Sequence, residues 1–350
     1  MSKEIGMKVG IIGCGSIAKQ RHSFEYNQNP NTEIAGYFDL NPDRAKALAD
    51  IYGGKVYASA EELINDPSID AVSVCAANAF HAENTIKALK AGKHVLCEKP
   101  MATSIEDCEA MIAAAKESGK RLFIAQNQRL APAHKKAKEI LDSGELGKVL
   151  HAIAMFGHKG PESWSMDQSA NTWFFKKSAA SFGSMADLGI HKIDTIRYLV
   201  GDEIVSASST MAVLDKKFPD GTPIEVDDNS VEVFRFKNGA MMTVMTSWTN
   251  YGDEANFTNL LCEHGIIKLY SDPKYALIVV HEDGKVDKYE IGKMQTNDDE
   301  QQESSGIVDE FVEALTTGRE SVLDADKVIG SMRGVFAAVQ SAEEGKVINI

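Results

Sequence analysis

The feature that most constrains the fold is a glycine-rich turn that follows a short apolar run near the N-terminus. The run Met7–Ile12 predicts a buried strand, and the hexapeptide Gly13–Ala18 (GCGSIA) joins it to a segment that can form a helix. In a G-x-G-x-x-A turn, the first glycine permits the tight bend and the second lets a pyrophosphate approach the backbone. The helix N-terminus then offers free N–H groups to the phosphates. The residues predicted to surround a dinucleotide there are Gly13, Gly15, Ser16 and Ile17.

An acidic residue follows the second apolar run of the chain, Glu33–Phe38. Asp39 stands at the end of this predicted strand, roughly 20 residues after the turn, where a carboxylate binds the adenine ribose hydroxyls of a dinucleotide. Glycine-rich turns also follow strands in proteins of other function, so Asp39 and the repeated strand–helix pattern are what favour a dinucleotide. The carboxylate would repel a 2′-phosphate, and the next basic residue, Arg44, lies a turn into the following helix. We therefore expect the cofactor to be NAD rather than NADP.

The segment up to residue 126 alternates between short apolar runs and helical patterns. Helix starts are marked by Pro42 and by the capping sequences Ser59-x-x-Glu62 and Ser104-x-x-Asp107. This alternation predicts an α/β fold, with a Rossmann-type, doubly wound parallel sheet over residues 1–126. Ligands of such sheets bind at the carboxyl ends of the strands. The residues predicted at those ends, and therefore beside the cofactor, are Ala76, Asn78, His81, Glu98 and Lys99.

From residue 127 the pattern changes to many strands and few helices. Strand patterns recur between Val149 and Ile291, and Asn238-Gly239 is a hairpin turn signal. One of the few helices is predicted over Ser184–Leu199. We expect residues 127–350 to form an α+β domain on a large, mostly antiparallel open sheet. The polar run Lys293–Ser305 predicts an exposed loop.

Two groups of residues have the chemistry that catalysis on a hydroxyl group requires. Lys99 directly follows a predicted strand, and a lysine there can stabilise a developing alkoxide beside a nicotinamide. The ionisable stripe of the helix predicted from Ser184 consists of Asp187, His191, Asp194 and Tyr198, with isoleucines on the opposite side. Asp187 could instead cap the helix, and His191 could be an ordinary partly buried histidine. The spacing alone leaves both roles open.

The same spacing also suits a divalent metal, because carboxylates and imidazole are metal ligands. Hydride transfer from an alcohol to a nicotinamide needs a base but not necessarily a metal, so we expect none. An imidazole, which titrates at about pH 6.5 in model peptides, suits that base. The aromatic residues Trp164, Trp173 and Phe174 could flank a sugar or fill the core of the second domain.

Charge and cysteine content argue against several classes of partner. The net charge of −14 disfavours a nucleic-acid surface or an anionic membrane. No apolar run reaches the roughly 18 residues of a membrane span. The five cysteines include no C-x-x-C pair, which indicates reduced thiols in a cytoplasmic protein. Cys14 and Cys97, near the predicted cofactor, are expected to be small buried side chains.

These motifs resemble the glucose–fructose oxidoreductase / inositol dehydrogenase (GFO/IDH/MocA) family over essentially the whole chain. The matching pieces are GCGSIA, Asp39, Ala77–His81, AGKHVLCEKP at Ala91–Pro100, and Ser184–Asp194. The resemblance implies NAD(P)-dependent oxidation of a sugar or cyclitol hydroxyl, and a homodimer or homotetramer formed through the C-terminal sheet. The chain departs from the family at Ala76-Ala77-Asn78, where threonine-proline often precedes the Asn, and at Phe182-Gly183-Ser184, where Gly-Gly is common. The resemblance therefore does not define the substrate.

By position, the resemblance implies that Lys99, Asp187 and His191 form the catalytic group. His191 is expected to take the hydroxyl proton, Lys99 to stabilise the alkoxide, and Asp187 to orient His191 or to bind a neighbouring hydroxyl. The residues expected to contact the substrate are Lys99, Trp173, Asp187, His191 and Asp194. Two other functions remain open: glycoside cleavage assisted by a tightly held NAD, and a non-enzymatic dinucleotide sensor. A sensor has no need of both Lys99 and the Asp187/His191 pair, so an enzyme is expected.

Overall fold

The parallel sheet predicted for the N-terminal part of the chain is confirmed. The computed structural model describes residues 6–166, 168–292 and 304–350. The strands of this sheet are β1 Met7–Ile12, β2 Thr32–Phe38, β3 Lys55–Val56, β4 Ala71–Val74, β5 His94–Cys97 and β6 Leu122–Ile124. They lie in the order β3-β2-β1-β4-β5-β6, and every neighbouring pair is parallel. This is the strand order of a dinucleotide-binding sheet, in which the connections change direction between β1 and β4.

Helices connect these strands, and their starts follow the capping signals of the sequence. They are a π-helical turn at Ala18–His22, α1 Ser23–Gln28, α2 Pro42–Tyr52, α3 Ala60–Asn65, α4 His81–Lys90 and α5 Ile105–Ser118. The Ser59 hydroxyl accepts the Glu62 N–H at 3.0 Å, and the Ser104 hydroxyl accepts the Asp107 N–H at 3.1 Å. Each cap satisfies an N–H group that has no partner within the helix. The predicted helix starts at Ala60 and Ile105 are therefore confirmed.

A second, larger sheet occupies the middle of the chain. Its strands are β7 Val149–Gly157, β8 Ile204–Ala212, β9 Asn229–Phe236, β10 Met241–Ser247, β11 Ala255–Cys262, β12 Gly265–Leu269, β13 Leu277–His281, β14 Val286–Tyr289 and β15 Ile348–Asn349. Their order is β14-β13-β12-β11-β7-β10-β9-β8-β15. All neighbouring pairs are antiparallel except β7 and β10, which run parallel. The predicted open and mostly antiparallel sheet is confirmed.

The remaining helices include those that cover one face of this larger sheet. Their bounds are α6 Pro132–Asp142, α7 Lys177–Ala180, a π-helical turn at Met185–Gly189, α8 Ile190–Val200, α9 Ile307–Thr317 and α10 Ala325–Glu344. Helix α8 packs on β7 and β10. Of the predicted loop 293–305, residues 293–303 lie outside the described part of the chain. In this part no helix is long and apolar enough to cross a membrane.

The chain divides into two compact units that a single boundary does not describe. Among described residues, the first unit holds 6–127 and 304–329, and the second holds 128–292, without residue 167, and 330–350. In the first unit, the Phe311 ring of α9 packs edge-on against the Phe123 ring, with the two ring centroids 5.0 Å apart. The Ile124 N–H donates to the Leu323 carbonyl at 2.9 Å. A segment far along the chain thus covers the β6 edge of the Rossmann sheet, which would otherwise be an open edge.

Candidate active site

The two glycines of the GCGSIA turn differ in what surrounds them. Gly13 has a φ of +89°, and a Cβ there would lie 2.5 Å from the backbone of Cys75 and Ala76. A Cβ on Gly15 would meet no atom within 4 Å. Gly13 is therefore required by the bend, while Gly15 borders open space that a phosphate can occupy. Ser16 and Ile17 begin the helical segment, so their backbone N–H groups face the same ligand position.

The cysteines near this turn behave as the sequence predicts. Cys14 and Cys97 are both fully buried. Burial raises the pKa of each thiol well above its usual value. Because the thiolate is the reactive form, neither side chain is a nucleophile at neutral pH.

Asp39 lies at the end of β2 and fixes the glycine-rich turn. Its Oδ2 accepts the Cys14 N–H at 2.7 Å, and its Oδ1 accepts the Asn41 N–H at 2.7 Å. A carboxylate has about four acceptor positions, so these two bonds leave room for two ribose hydroxyls. The residue fits its predicted role and also joins the first two strand ends, which the sequence pattern did not reveal.

His81 lies between the backbone segments that follow β4 and β5. Its Nδ1 lies 2.7 Å from the Pro100 carbonyl oxygen, and its Nε2 lies 2.9 Å from the Ala76 carbonyl oxygen. The ring is 1% exposed, and burial lowers the pKa of the imidazole. A neutral ring donates to one of these two carbonyl groups and so joins the loops after β4 and β5, while its contact with the cofactor stays a prediction. Asn78 is buried in the short turn before α4, and Ala76 is partly exposed at the end of β4.

Glu98 and Lys99 follow β5 and point their side chains into different surroundings. The Glu98 carboxylate is 4% exposed and accepts a hydrogen bond from His22 Nε2 at 2.9 Å. Lys99 is only partly buried. The structure thus places Glu98 in the interior of the first unit, with Lys99 beside it at the carboxyl edge of the sheet.

In the second unit, the predicted ionisable stripe of the helix that follows Ser184 separates into two groups. The helix opens with the π-helical turn Met185–Gly189 before α8, so its first residues do not follow regular 3.6-residue spacing. Asp187 and His191, each 8% exposed, lie among aromatic side chains. The His191 ring centroid is 6.0 Å from that of Phe156. Asp194 and Tyr198 instead lie around Arg129, whose guanidinium carbon is 5.4 Å from the Tyr198 ring centroid.

Two residues that the sequence analysis missed surround the Asp187 carboxylate. Trp248 Nε1 donates to Asp187 Oδ2 at 3.2 Å, and His158 Nε2 lies 3.6 Å from the same oxygen. His158 Nδ1 accepts the Gly160 N–H at 3.0 Å, so a neutral His158 ring carries its proton on Nε2, toward Asp187. His158 and Trp248 immediately follow β7 and β10, where Gly157 pairs with Ser247. Because these two strands are parallel, their carboxyl ends meet and bring both side chains to one carboxylate.

Aromatic rings extend this group away from His191. The Trp164 ring lies edge-on to the rings of His158 and Phe174, with centroid–centroid distances of 6.2 Å and 5.1 Å. Phe174 in turn stacks on Trp173 at 3.9 Å. Trp173 and Trp164 are partly exposed, which leaves ring surface for a ligand. The predicted aromatic residues therefore form a continuous row that starts at the Asp187–His191 pair.

Asp194 does not share the environment of His191, and its contact with a substrate stays a prediction. Arg129 donates to it through Nε at 2.7 Å and Nη2 at 2.6 Å, and Ser331 Oγ donates at 2.7 Å. Asp194 is 1% exposed and Arg129 is 2% exposed. A carboxylate enclosed in this way holds its own unit together. Within the described residues, no three His, Cys, Asp or Glu side chains are placed to hold a metal ion together.

Comparison with known proteins identifies the family. A profile described as "Oxidoreductase family, NAD-binding Rossmann fold" (GFO/IDH/MocA) matches residues 7–126, and the profile of that family's C-terminal domain matches residues 134–268. Levoglucosan dehydrogenase from Pseudarthrobacter phenanthrenivorans is 33% identical over 279 residues, covering 70% of this chain and 68% of the relative. Myo-inositol 2-dehydrogenase from Thermotoga maritima is 31% identical over 243 residues, covering 69% and 68%.

A solved structure extends the comparison to the whole fold. The aldose–aldose oxidoreductase from Caulobacter crescentus, complexed with glycerol, superposes with a TM-score of 0.83 at 24% identity, covering 99% of this chain and 100% of that one. At this identity the likeness concerns the fold, while the two family profiles and the curated relatives concern the family. The chain therefore belongs to the GFO/IDH/MocA family, is an oxidoreductase and has an NAD-binding Rossmann domain.

Proposed function

We propose that the chain oxidises a secondary hydroxyl group of a sugar or cyclitol with NAD as the hydride acceptor. The observation that carries this proposal is the Asp187–His191 pair at the start of a row of aromatic rings. A carboxylate and an imidazole can bind hydroxyl groups, and partly exposed indole faces suit the apolar face of a sugar ring. The relatives named for levoglucosan and for myo-inositol support the same substrate class.

Each proposed catalytic residue has one task. When bound, the nicotinamide supplies the hydride acceptor. His191 takes the proton of the substrate hydroxyl as a general base, and Asp187 binds an adjacent hydroxyl or orients the imidazole. Lys99 stabilises negative charge that develops on the reacting oxygen. Trp248 Nε1 donates to Asp187 and keeps its carboxylate in place, and the His158 ring lies beside the same oxygen.

A panel assay tests the proposal. The protein is incubated with NAD and a set of pyranoses, anhydrosugars and inositols, and the absorbance of NADH is followed. We expect NADH to accumulate with at least one of these polyols. Turnover of a glycoside without net NADH would instead identify redox-assisted glycoside cleavage, and no turnover of any polyol would contradict the proposed substrate class.

Asp39 is expected to make the enzyme prefer NAD over NADP. At an effective dielectric near 20, two unit charges about 4 Å apart repel by roughly 4 kcal/mol, and even ~1.4 kcal/mol is tenfold in affinity. Asp39→Ala should lower kcat/KM for NAD and reduce the difference in kcat/KM between NAD and NADP. The measurement is kcat/KM for both, with Asp43→Ala, an exposed acid on α2, as the matched control. Equal or better use of NADP by the wild type would show that Asp39 does not face the ribose.

We also propose that the chain forms a homodimer or homotetramer through the outer face of the larger sheet. Alternate residues of its central strands leave apolar side chains exposed on this face: Ile153, Val231, Val233, Met241 and Met245. Val231 pairs with Met245, and Ile153 pairs with Thr243, so the patch is continuous across three strands. An exposed apolar patch of this kind is typical of a protein interface.

Val233→Glu should therefore reduce the oligomer to a smaller species. Light scattering after size exclusion measures the mass, and Ile51→Glu, at an exposed position on α2, is the control. A monomeric wild type, or an assembly unchanged by Val233→Glu, would contradict this interface.

We infer a cytoplasmic location from the thiols. All five cysteines are free and buried, as is usual in a reducing compartment. Cell fractionation tests this inference, since recovery in a secreted or periplasmic fraction would contradict it.

A further inference from the structure

A chain of four buried polar side chains leads through the first unit to Glu98. Tyr26 Oη lies 2.8 Å from Ser73 Oγ, and Ser73 Oγ lies 3.2 Å from His22 Nδ1. His22 Nε2 lies 2.9 Å from Glu98 Oε1. Tyr26, Ser73 and His22 are fully buried, and Glu98 is 4% exposed. None of these contacts is required to form the sheet, so the chain calls for a separate explanation.

The hydrogen bonds of this chain have a defined direction at Glu98. An ionised carboxylate only accepts, so His22 Nε2 donates to it. In the neutral ring, Nδ1 then accepts from the Ser73 hydroxyl, which can accept from Tyr26. Burial by itself raises the pKa of Glu98, but the hydrogen bond from His22, with the nearby charges of Arg21 and Lys99, more than offsets this and lowers the pKa to about 2. Glu98 is therefore a buried anion at neutral pH.

The helix geometry after the glycine-rich turn is what brings His22 inward. The segment Ala18–His22 is a π-helical turn, closed by a bond from the Ser23 N–H to the Ala18 carbonyl. A π turn contains one more residue than an α turn, and such turns occur frequently at functional sites. Here the wider turn coincides with a histidine whose ring is entirely inside the protein. The irregular helix and the buried chain are two independent features that converge on Glu98.

We propose that Glu98, with His22 as its positioning residue, gives the site a preference for oxidised over reduced cofactor. This rests on the proposed function, in which the nicotinamide half of NAD binds at the carboxyl ends of β4 and β5. The oxidised nicotinamide ring is cationic and the reduced ring is neutral. A buried anion beside the ring binds the cation more strongly, because its charge is screened less than that of a solvated group. Lys99 opposes this effect, but its side chain is only partly buried.

Cofactor binding without substrate tests the proposal. The Kd of NADH is measured by its fluorescence, and the Kd of NAD by displacement of NADH, on the full-length protein. Glu98→Gln keeps the shape and removes the charge, so it should weaken NAD about 10-fold while changing NADH less than about 2-fold. His22→Leu, which removes the hydrogen-bond donor, should change the ratio in the same direction. His22→Gln keeps a donor and should restore most of the wild-type ratio.

The result that overturns the inference is a Glu98→Gln protein whose two dissociation constants keep the wild-type ratio. If Glu98→Gln does not fold, His22→Leu is compared with His22→Gln. Equal ratios of the NAD and NADH dissociation constants in these two variants overturn the inference. The Asp39→Ala variant distinguishes failure of the inference about Glu98 from failure of the proposed cofactor site. Since both cofactor forms share the same ribose, it should weaken both equally. If Asp39→Ala changes neither, the proposed cofactor site itself is wrong.

Discussion

His191→Ala is expected to lower kcat by about 10²–10⁴-fold, the usual contribution of a well-placed general base, and to leave NAD affinity nearly unchanged. The imidazole lies in the second unit, with its ring centroid 6.0 Å from that of Phe156, whereas the glycine-rich turn and Asp39 lie in the first. Loss of the base should therefore affect proton transfer and not cofactor binding. Steady-state kinetics on the best polyol, together with the Kd of NADH, measure both quantities.

Lys99→Ala should lower kcat by a similar factor. The variant that carries both His191→Ala and Lys99→Ala should lose much less activity than the product of the two single losses. Residues that act on one reacting atom as a unit are not additive. Lys90→Ala, at an exposed position near the end of α4, removes the same charge without the proposed role and is the control. Near-normal turnover in either single variant, at neutral pH, would show that its assigned role is wrong.

Asp194→Ala is expected to cost about 3–5 kcal/mol of unfolding free energy, because it leaves the Arg129 guanidinium charged and buried without its carboxylate. The ion pair is bidentate, at 2.7 and 2.6 Å, and Ser331 would also lose its acceptor. Denaturant unfolding curves measure the loss. The expected size is a large part of the stability of an ordinary domain, so reduced expression of this variant is part of the same prediction.

The matched control is Asp142→Ala. Asp142 also pairs with a basic side chain, Lys138, but its own side chain is 60% exposed. Exposed pairs contribute about 0–1 kcal/mol, so this variant should be close to wild type. If the two variants lost the same small amount, the Asp194 carboxylate would not be a structural charge and a ligand contact would again be the better explanation.

Local patterns were enough to predict the parallel sheet of the first unit, although not the segment 304–329 that completes this unit. The glycine-rich turn, the strand-ending Asp39 and the caps at Ser59 and Ser104 each act through residues close in sequence, and the structure contains each turn, strand and cap where they predict it. The Asn238-Gly239 turn between β9 and β10 is of the same kind, and Gly239 there has a φ of +93°. Turns and caps can be predicted from the sequence because they do not depend on which distant strands pair.

The residues that escaped prediction depend on distant pairing. His158 and Trp248 meet at Asp187 only because β7 and β10 run parallel in an otherwise antiparallel sheet. Helical periodicity placed Asp194 beside His191, but it cannot reveal that Arg129 encloses the carboxylate. The sequence also gives no sign that the ring nitrogens of His81 lie against the carbonyl oxygens of Ala76 and Pro100. In each case the partner is a backbone or side-chain group that no sequence motif marks.

Deuterium transfer shows directly whether the hydride moves from the substrate carbon to the cofactor. The best polyol of the panel is prepared with deuterium on the carbon that carries the reacting hydroxyl, and the products of its reaction with NAD are analysed by NMR. We expect the label to move to the nicotinamide ring, the substrate to become a ketone, and His191→Ala to slow both changes together. Label that returns to the sugar or appears in water, with no reduced cofactor formed, would rule out hydride transfer from this carbon to NAD.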